Sequence, residues 1–258
     1  MELTRALEKT IRSLAGAKGR RREGAFVAEG TKCVLDTLDA FEVRMILATR
    51  EWFENHPLPE AAAAVAVECG RGRLGEITAM SLAPDVIAVY SLPAAAEFDP
   101  EVLRGRITVA LDRVQDPGNL GTILRTCDWM GVTTVLASAD TVDCFNPKTV
   151  QATMGAISRV RVVYGDLAEM LAKSPVDVWG TYLDGTDIYR AALPAEGVVV
   201  MGNEGSGISP EVTAAVTRRL YIPPAPGTCP ASESLNVATA TAIVLSQFTA
   251  ARYGQGKI

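Results

Sequence analysis

The chain has 258 residues, 48% of them apolar, with 25 Lys and Arg against 30 Asp and Glu and a formal net charge of −5. That apolar content rules out a disordered chain, and the acidic balance argues against a protein that grips nucleic acid through its overall field. The charge is unevenly spread: residues 1–24 hold seven basic side chains against three acidic ones, a local net of +4, while the other 234 residues net −9. A localised anion-binding patch at the basic end stays open.

Taken in chain order, the periodicity predicts a helix over 2–15, an extended AFVAE at 25–29, a helix over 30–39, an extended 42–48, a short helix near 50–54, an extended 64–68, a helix over 71–80 and an extended 86–91. This describes a small α/β domain. The stretch LPAAAEFDP, bracketed by Pro93 and Pro100, breaks the pattern and places a linker at 96–103 between a domain at 1–95 and a second at 104–258. Downstream, strands are expected at Ile107–Leu111, Thr133–Ser138, Arg159–Val163, Val176–Leu183, Val198–Met201 and Leu220–Ile222, with helices at 119–130, 147–156, 165–173, 209–217 and 235–252. Strands apolar on both faces that alternate with helices predict a mostly parallel sheet with helices on both faces.

Several chemistries are disfavoured. The longest apolar stretch, Ala61–Val67, is far short of the roughly 18 residues of a membrane span. The opening MELTRALEKTIRSL mixes charged and apolar residues from the start, unlike a signal peptide, so a cytoplasmic protein without a membrane partner is expected. Cys33, Cys69, Cys127, Cys144 and Cys229 are widely spaced without a CxxC, which points to reduced, mostly buried thiols and to neither a disulfide framework nor a zinc site. The single histidine, His56, sits among turn residues and reads as a solvated loop residue. Chemistry without histidine or metal is expected.

Three segments of the second domain are unusually polar. In the first, Asp116-Pro117-Gly118 forms a turn after a strand, and Asn119 is a natural N-cap for a helix from Leu120. A strand's carboxyl end thus meets a helix start, where α/β proteins build their sites. Arg125, about 120° around that helix from Asn119, can border the same cleft. Equally, the pair could be a plain cap and a surface cation. In the second, four apolar residues run into Gly202-Asn203-Glu204-Gly205-Ser206-Gly207, after which Ser209-Pro210 supplies an N-cap and a first-turn proline. No GK[ST] follows, the GxGxxG spacing is absent and Glu204 would repel phosphate, so a neutral or cationic small molecule suits the loop better than a nucleotide phosphate; a plain tight turn is the alternative. In the third, four prolines lead to Ser234, a candidate N-cap for the final helix, with Asn236 in its first turn.

Together, DPGNLGTILRTCDWMG (116–131), VVVMGNEGSGIS (198–209) and ESLNVATATAIVL (233–245) resemble the ordered motifs of the SpoU (TrmH-like) RNA 2'-O-ribose methyltransferases of the SPOUT class. DCFNPKTVQATMGAI (143–157) resembles the family's NPK…ASMGA segment, with Gln151 where arginine is common and Thr153 where serine is, departures that weaken an RNA contact at 151 and leave the fold assignment intact. The resemblance spans about 104–252. RRREGAFVAEG (20–30), and Met80-Ser81 followed by Val86–Val89, are similar to the start and end of the small ribosomal-protein-like substrate-binding domain that precedes many of these enzymes.

The resemblance implies a deep trefoil knot in the second domain, a rare exception to the rule against threaded chains. It implies S-adenosylmethionine held by knot-loop backbone at Gly202, Ile222 and Leu235, with Leu183, Gly185, Met201 and Asn236 beside them. Arg125, Asn119, Glu204, Ser234 and Asn236 would be the catalytic set, and no metal is implied. It further implies a homodimer in which RNA-facing residues of one subunit approach the methyl donor of the other. RNA, ribosomal in preference to transfer RNA, would meet Lys18, Arg20, Arg21, Arg22 and Lys32 through its phosphates. Only 6% of residues are aromatic, so recognition of folded RNA by shape is expected over base stacking. The competing readings are a catalytically silent RNA-binding protein of this fold, and another nucleotide-binding α/β enzyme, such as a hydrolase using Asp112 or Asp116.

Overall fold

Helix α1 (Arg5–Ser13) starts where Thr4 Oγ1 accepts the Leu7 amide, and turns Ile11 inward. A second helix, α2 (Ala17–Glu23), follows. The computed structural model describes residues 3–228 and 234–254, which divide into two compact units: Met1–Ala94 with Asp143–Arg159, and Ala95–Val142 with Val160–Ile258.

The first unit continues through β1 (Ala25–Glu29), α3 (Thr31–Thr37), β2 (Val43–Ala48), α4 (Arg50–Asn55), α5 (Glu60–Ala63), β3 (Ala66–Glu68), α6 (Arg71–Ile77) and β4 (Val86–Ser91). Its strands form one sheet in the order β1-β4-β2-β3, antiparallel except for the β2–β3 pair. Side chains such as Leu14, Leu47, Leu74 and Ile87 fill the core. Two elements were not expected. The α2 sequence AKGRRRE has no apolar stripe, and the four-residue α5 is too short to show a period. His56 is half-buried rather than solvated, stacked on Trp52 at 4.7 Å with Nδ1 2.8 Å from the Trp52 carbonyl, so it finishes α4.

The second unit runs β5 (Ile107–Leu111), α7 (Pro117–Trp129) and β6 (Thr134–Ser138). The chain then supplies Asp143–Arg159, with helix α8 (Pro147–Thr153), to the first unit. It resumes the second unit with β7 (Arg161–Gly165), α9 (Leu167–Ala172), β8 (Val178–Asp187), β9 (Gly197–Met201), α10 (Pro210–Thr213), β10 (Arg218–Tyr221) and α11 (Val237–Gly254). The sheet order is β10-β8-β9-β5-β6-β7, and every pairing is parallel. Both central strands, β5 and β9, are buried throughout, which explains their unbroken apolar runs. The chain moves outward from β5 to β7, then crosses to β8 and returns as β9 beside β5. The strand order therefore reverses between β5 and β9, where open parallel sheets hold their ligands. Their carboxyl ends lie together, and the Asp112 amide donates to the Met201 carbonyl at 2.9 Å.

Within the first unit, the 143–159 segment is anchored by rings and by charge. Phe145 packs 4.7 Å from Phe26, which lies 5.0 Å from Phe41 and 5.3 Å from Tyr90. Phe26 and Tyr90 are fully buried, so these aromatics form core and offer no face for base stacking. The Arg20 guanidinium turns inward as well, donating to Asp143 Oδ2 at 2.6 and 2.9 Å and to the Leu14 and Ala15 carbonyls at 2.9 and 3.0 Å.

Cys33, Cys69 and Cys127 are free and buried, and Cys144 is buried; Cys229 lies outside the described residues. Burial pushes the Cys33 thiol up to about 11 and raises Cys69 and Cys127, so none of these three supplies a thiolate nucleophile near neutral pH.

Candidate active site

At the β5–β9 reversal the first polar segment folds differently from its expected detail. Asp116, not Asn119, caps α7: its Oδ1 accepts the Asn119 amide at 2.7 Å, and Pro117 takes the first helical position with its φ already suited to a helix. The helix thus begins three residues early, and Asn119 lies inside its first turn with its side chain free for other work. Ser209 and Pro210 do start α10 as expected, with Ser209 Oγ accepting the Val212 amide. At α11 the capping group is Asn236 rather than Ser234. Its Oδ1 accepts the Ala238 and Thr239 amides at 2.9 and 3.3 Å.

These placements join the three segments through one side chain. Asn119 Nδ2 donates to Glu204 Oε1 at 2.7 Å, and Asn236 Nδ2 donates to Asn119 Oδ1 at 2.9 Å. Both halves of the Asn119 amide are engaged, so its orientation is set by the network. Glu204 and Asn236 are exposed and Asn119 half-buried, as groups that meet a ligand must be. The other two expected members stand apart. Arg125 is exposed on α7, about 9 Å along the axis from Asn119, with no hydrogen bond or ion pair among the described residues. Ser234 lies exposed in the bend before Asn236.

Asp112 and Asp116 have structural duties. Asp112 is 2% exposed, accepts the Ser209 amide at 2.6 Å and lies 3.4 Å from Arg113 Nε; Asp116 is the α7 cap. Neither carboxylate is placed to activate a nucleophile. Among the described residues, no group of three or more His, Cys, Asp and Glu is arranged to hold a metal ion.

Beside the Asn119 network the backbone comes unusually close to itself. A Cβ on Gly202 would lie 2.4 Å from the Gly207 carbonyl carbon and 2.5 Å from the Ile208 nitrogen. One on Gly185 would lie 2.4–2.7 Å from backbone atoms of Leu220. The β8–β10 register jumps from Gly180 to Thr186, which leaves Thr181–Gly185 as a bulge in β8 with Gly185 pressed on Leu220, and Leu183 stands 73% exposed. Met201 is buried at the end of β9, Ile222 is half-buried just past β10, and Leu235 is half exposed.

Of the basic residues in the first unit, Lys18, Arg21, Arg22 and Lys32 are exposed, with Arg22 paired to Glu23 (2.7 Å) and Lys32 to Asp36 (2.9 Å). Arg20 departs from the expected phosphate contact, because its guanidinium is 3% exposed and used up on Asp143 and two carbonyls. The sequence carried no signal for this, since three consecutive arginines look alike until the helix shows which one faces in.

Residues 106–246 match the model of the SpoU rRNA Methylase family, and residues 8–88 that of the MRM3-like substrate binding domain. An uncharacterized tRNA/rRNA methyltransferase of Synechocystis is 30% identical over 249 residues, 93% of this chain and 89% of that protein. The 23S rRNA (guanosine(2553)-2'-O)-methyltransferase RlmP of Bacillus subtilis is 32% identical over 173 residues, 66% of each chain. Among solved structures, a TrmH-family protein from Porphyromonas gingivalis superposes with a TM-score of 0.85 at 39% identity, covering 95% of this chain and 98% of that one. An AdoMet-bound rRNA methyltransferase from Sinorhizobium meliloti gives 0.82 at 28% identity, covering 98% of each.

Proposed function

Because the chain belongs to the SpoU rRNA methylase family, we propose that it methylates the 2'-hydroxyl of a ribose in structured ribosomal RNA, using S-adenosylmethionine. The observation that carries this reading is the Asn119 hub. It links Glu204 and Asn236, from loops 85 and 117 residues away, at the point where the strand order reverses. Transfer of labelled methyl from S-adenosylmethionine to ribosomal RNA, with the product mapped for ribose methylation, tests it. A chain that binds RNA but transfers nothing would instead be a silent member of the fold.

The residues present suit that cofactor. Adenine needs backbone donors and acceptors between apolar walls, and the close approaches at Gly202 and Gly185 bring bare backbone to such a slot. Leu183, Ile222 and Leu235 would wall it above the buried Met201. When bound, S-adenosylmethionine supplies an electrophilic methyl carbon on a sulfonium sulfur. Gly202→Ala places a methyl group inside backbone contact distance; repacking strain of about 1–3 kcal/mol predicts a loss of S-adenosylmethionine affinity of about 10- to 100-fold by calorimetry.

For the chemistry, the ribose 2'-oxygen must give up its proton as it attacks, and that proton passes by way of a neighbouring RNA phosphate to water. Arg125, whose guanidinium offers donors and no acceptor, serves as an electrostatic group that stabilises the developing alkoxide. The Glu204 oxygen not engaged by Asn119 is left to accept from a ribose hydroxyl. Asn236 holds Asn119 from the other side, and Ser234 lines the approach.

The reading includes a division of labour, with RNA gripped by 1–95 and the chemistry built on 104–258. The phosphate contacts narrow to Lys18, Arg21, Arg22 and Lys32. Replacing Lys18, Arg21 and Arg22 together by Gln is expected to flatten the log affinity against log salt slope for RNA by about 2, at about 0.7 for each phosphate no longer neutralised; an unchanged slope removes these residues from the footprint. A homodimer and a trefoil knot belong to the same reading. The dimer is supported by aromatic side chains that a lone subunit leaves in water on the paired helices α7 and α11, with Trp129 87% and Tyr253 65% exposed. Family membership supports the knot. Among the described residues no helix is long and apolar enough to cross a membrane, in keeping with action on ribosomal RNA in the cytoplasm.

A further inference from the structure

The glycine-rich loop that carries Glu204 owes its shape to its neighbour Asn203. The Asn203 side chain is half-buried and bonded at both ends. Its Oδ1 accepts the amides of Gly205 (2.9 Å) and Ser206 (3.0 Å) and the Ser206 hydroxyl (3.2 Å), while its Nδ2 donates to the Arg113 carbonyl at 2.8 Å. The Asn203 backbone closes the loop through a two-way bridge with Gly207, 3.0 Å in each direction. Oδ1 thus folds the loop on itself, and Nδ2 fastens it to the turn that precedes α7. The far end of the loop is fastened to the same turn, where Asp112 Oδ2 takes the Ser209 amide. The partner of Nδ2 is itself held: Arg113 has φ 58, a left-handed value that a non-glycine residue keeps only when its surroundings fix it, and its amide donates to Ser138 Oγ at 2.9 Å.

We infer that Asn203 is a positioning residue for methyl transfer. It latches the Glu204 loop to the turn that leads into α7, the helix carrying Asn119, so that the Glu204 carboxylate meets both the Asn119 amide and the ribose. The inference rests on the methyltransferase reading and deepens it. Without the latch, the loop keeps its tie through Ser209 to Asp112, and the 2.7 Å Asn119–Glu204 bond is the one side-chain bond among the described residues that registers the exposed carboxylate against α7. A displacement of about 1 Å at such a group can lower the rate by about 100-fold.

Two substitutions separate the latch from the turn. Asn203→Asp keeps the acceptor for Gly205 and Ser206 but loses the donor to Arg113, so the loop folds yet is tied to the turn at its Ser209 end alone. Asn203→Ala loses both. The expected result is a kcat lower by about 10-fold for Asn203→Asp and about 100-fold for Asn203→Ala, with KM for RNA within about threefold of wild type. In a Glu204→Gln background, where the carboxylate to be positioned is already gone, Asn203→Asp should lower kcat by less than about twofold. A purely structural role would give the same loss in both backgrounds. An Asn203→Asp enzyme at the wild-type kcat, or an equal loss with and without Glu204, overturns the latch. Absence of transfer by the wild-type chain, assayed alongside, overturns the proposed function and this inference with it.

Discussion

Arg125→Ala should lower methyl transfer by about 100- to 1,000-fold, the range expected when one preorganised donor to a developing oxyanion is removed, while S-adenosylmethionine affinity stays within a few-fold. The split follows from where the residue lies. The residues proposed to hold the cofactor, Leu183, Met201, Ile222 and Leu235, lie on β8, β9 and the segments after β10, whereas Arg125 stands on the exposed face of α7 without a partner among the described residues. None of the residues proposed to hold the cofactor is removed with it, and no side-chain bond among the described residues is broken. Arg125→Lys distinguishes charge from geometry, since a lysine keeps the charge but presents a point donor instead of a planar fork. A rate restored by lysine would assign Arg125 to field stabilisation alone; a rate as low as that of alanine would add a requirement for two parallel donors. An Arg125→Ala enzyme at near wild-type rate removes the residue from the mechanism.

The largest effect on stability is expected at Asp143. Asp143→Ala leaves the Arg20 guanidinium, almost wholly enclosed, with only the Leu14 and Ala15 carbonyls for partners. Breaking a fully buried pair from one side costs about 3–5 kcal/mol, and because the Asp143 side chain is 39% exposed we expect about 2–3 kcal/mol. The packing of Phe145 should hold the segment near β1, so the damage falls on α2 and the start of 143–159. Two compact units need not unfold in one step, which makes amide hydrogen exchange in those segments a better measure than a single melting midpoint. Arg21→Ala, one residue along on the exposed side, is the control and should stay within about 0.5 kcal/mol of wild type. Equal protection in Asp143→Ala and wild type would mean that the ion pair does not hold the segment.

Much of the fold is legible in the sequence alone. Strands β1, β4 and β5 fall where their apolar runs lie, and β9 within one residue, because a buried strand advertises itself by composition. Ser209-Pro210 announced the start of α10, because the cap and the proline act locally. The motif order announced the family. Short helices were the weak point: α2 and α5 have no period to read, and the helix expected over 209–217 is the four-residue α10.

What the sequence determined by itself was therefore the set of elements whose signal repeats within one strand or helix, together with the identities of Asn119, Glu204 and Asn236. Their roles were decided by the tertiary structure. Asn119 is ambiguous in sequence between cap and cleft residue, Asn236 reads as a first-turn residue behind a Ser234 cap, and their arrangement depended on partners 85 and 117 positions away. Asp116 took the α7 cap and freed Asn119; Asn236 took the α11 cap with one end of its amide and reached Asn119 with the other. In the same way Arg20, alike in sequence to Arg21 and Arg22, became a core residue because Asp143 lies 123 positions on and faces it. A side chain's local propensity is worth a fraction of a kcal/mol, whereas burying a charge beside its partner or leaving it unpaired is worth several. Where the two conflict, the long-range interaction decides, and no local pattern records it.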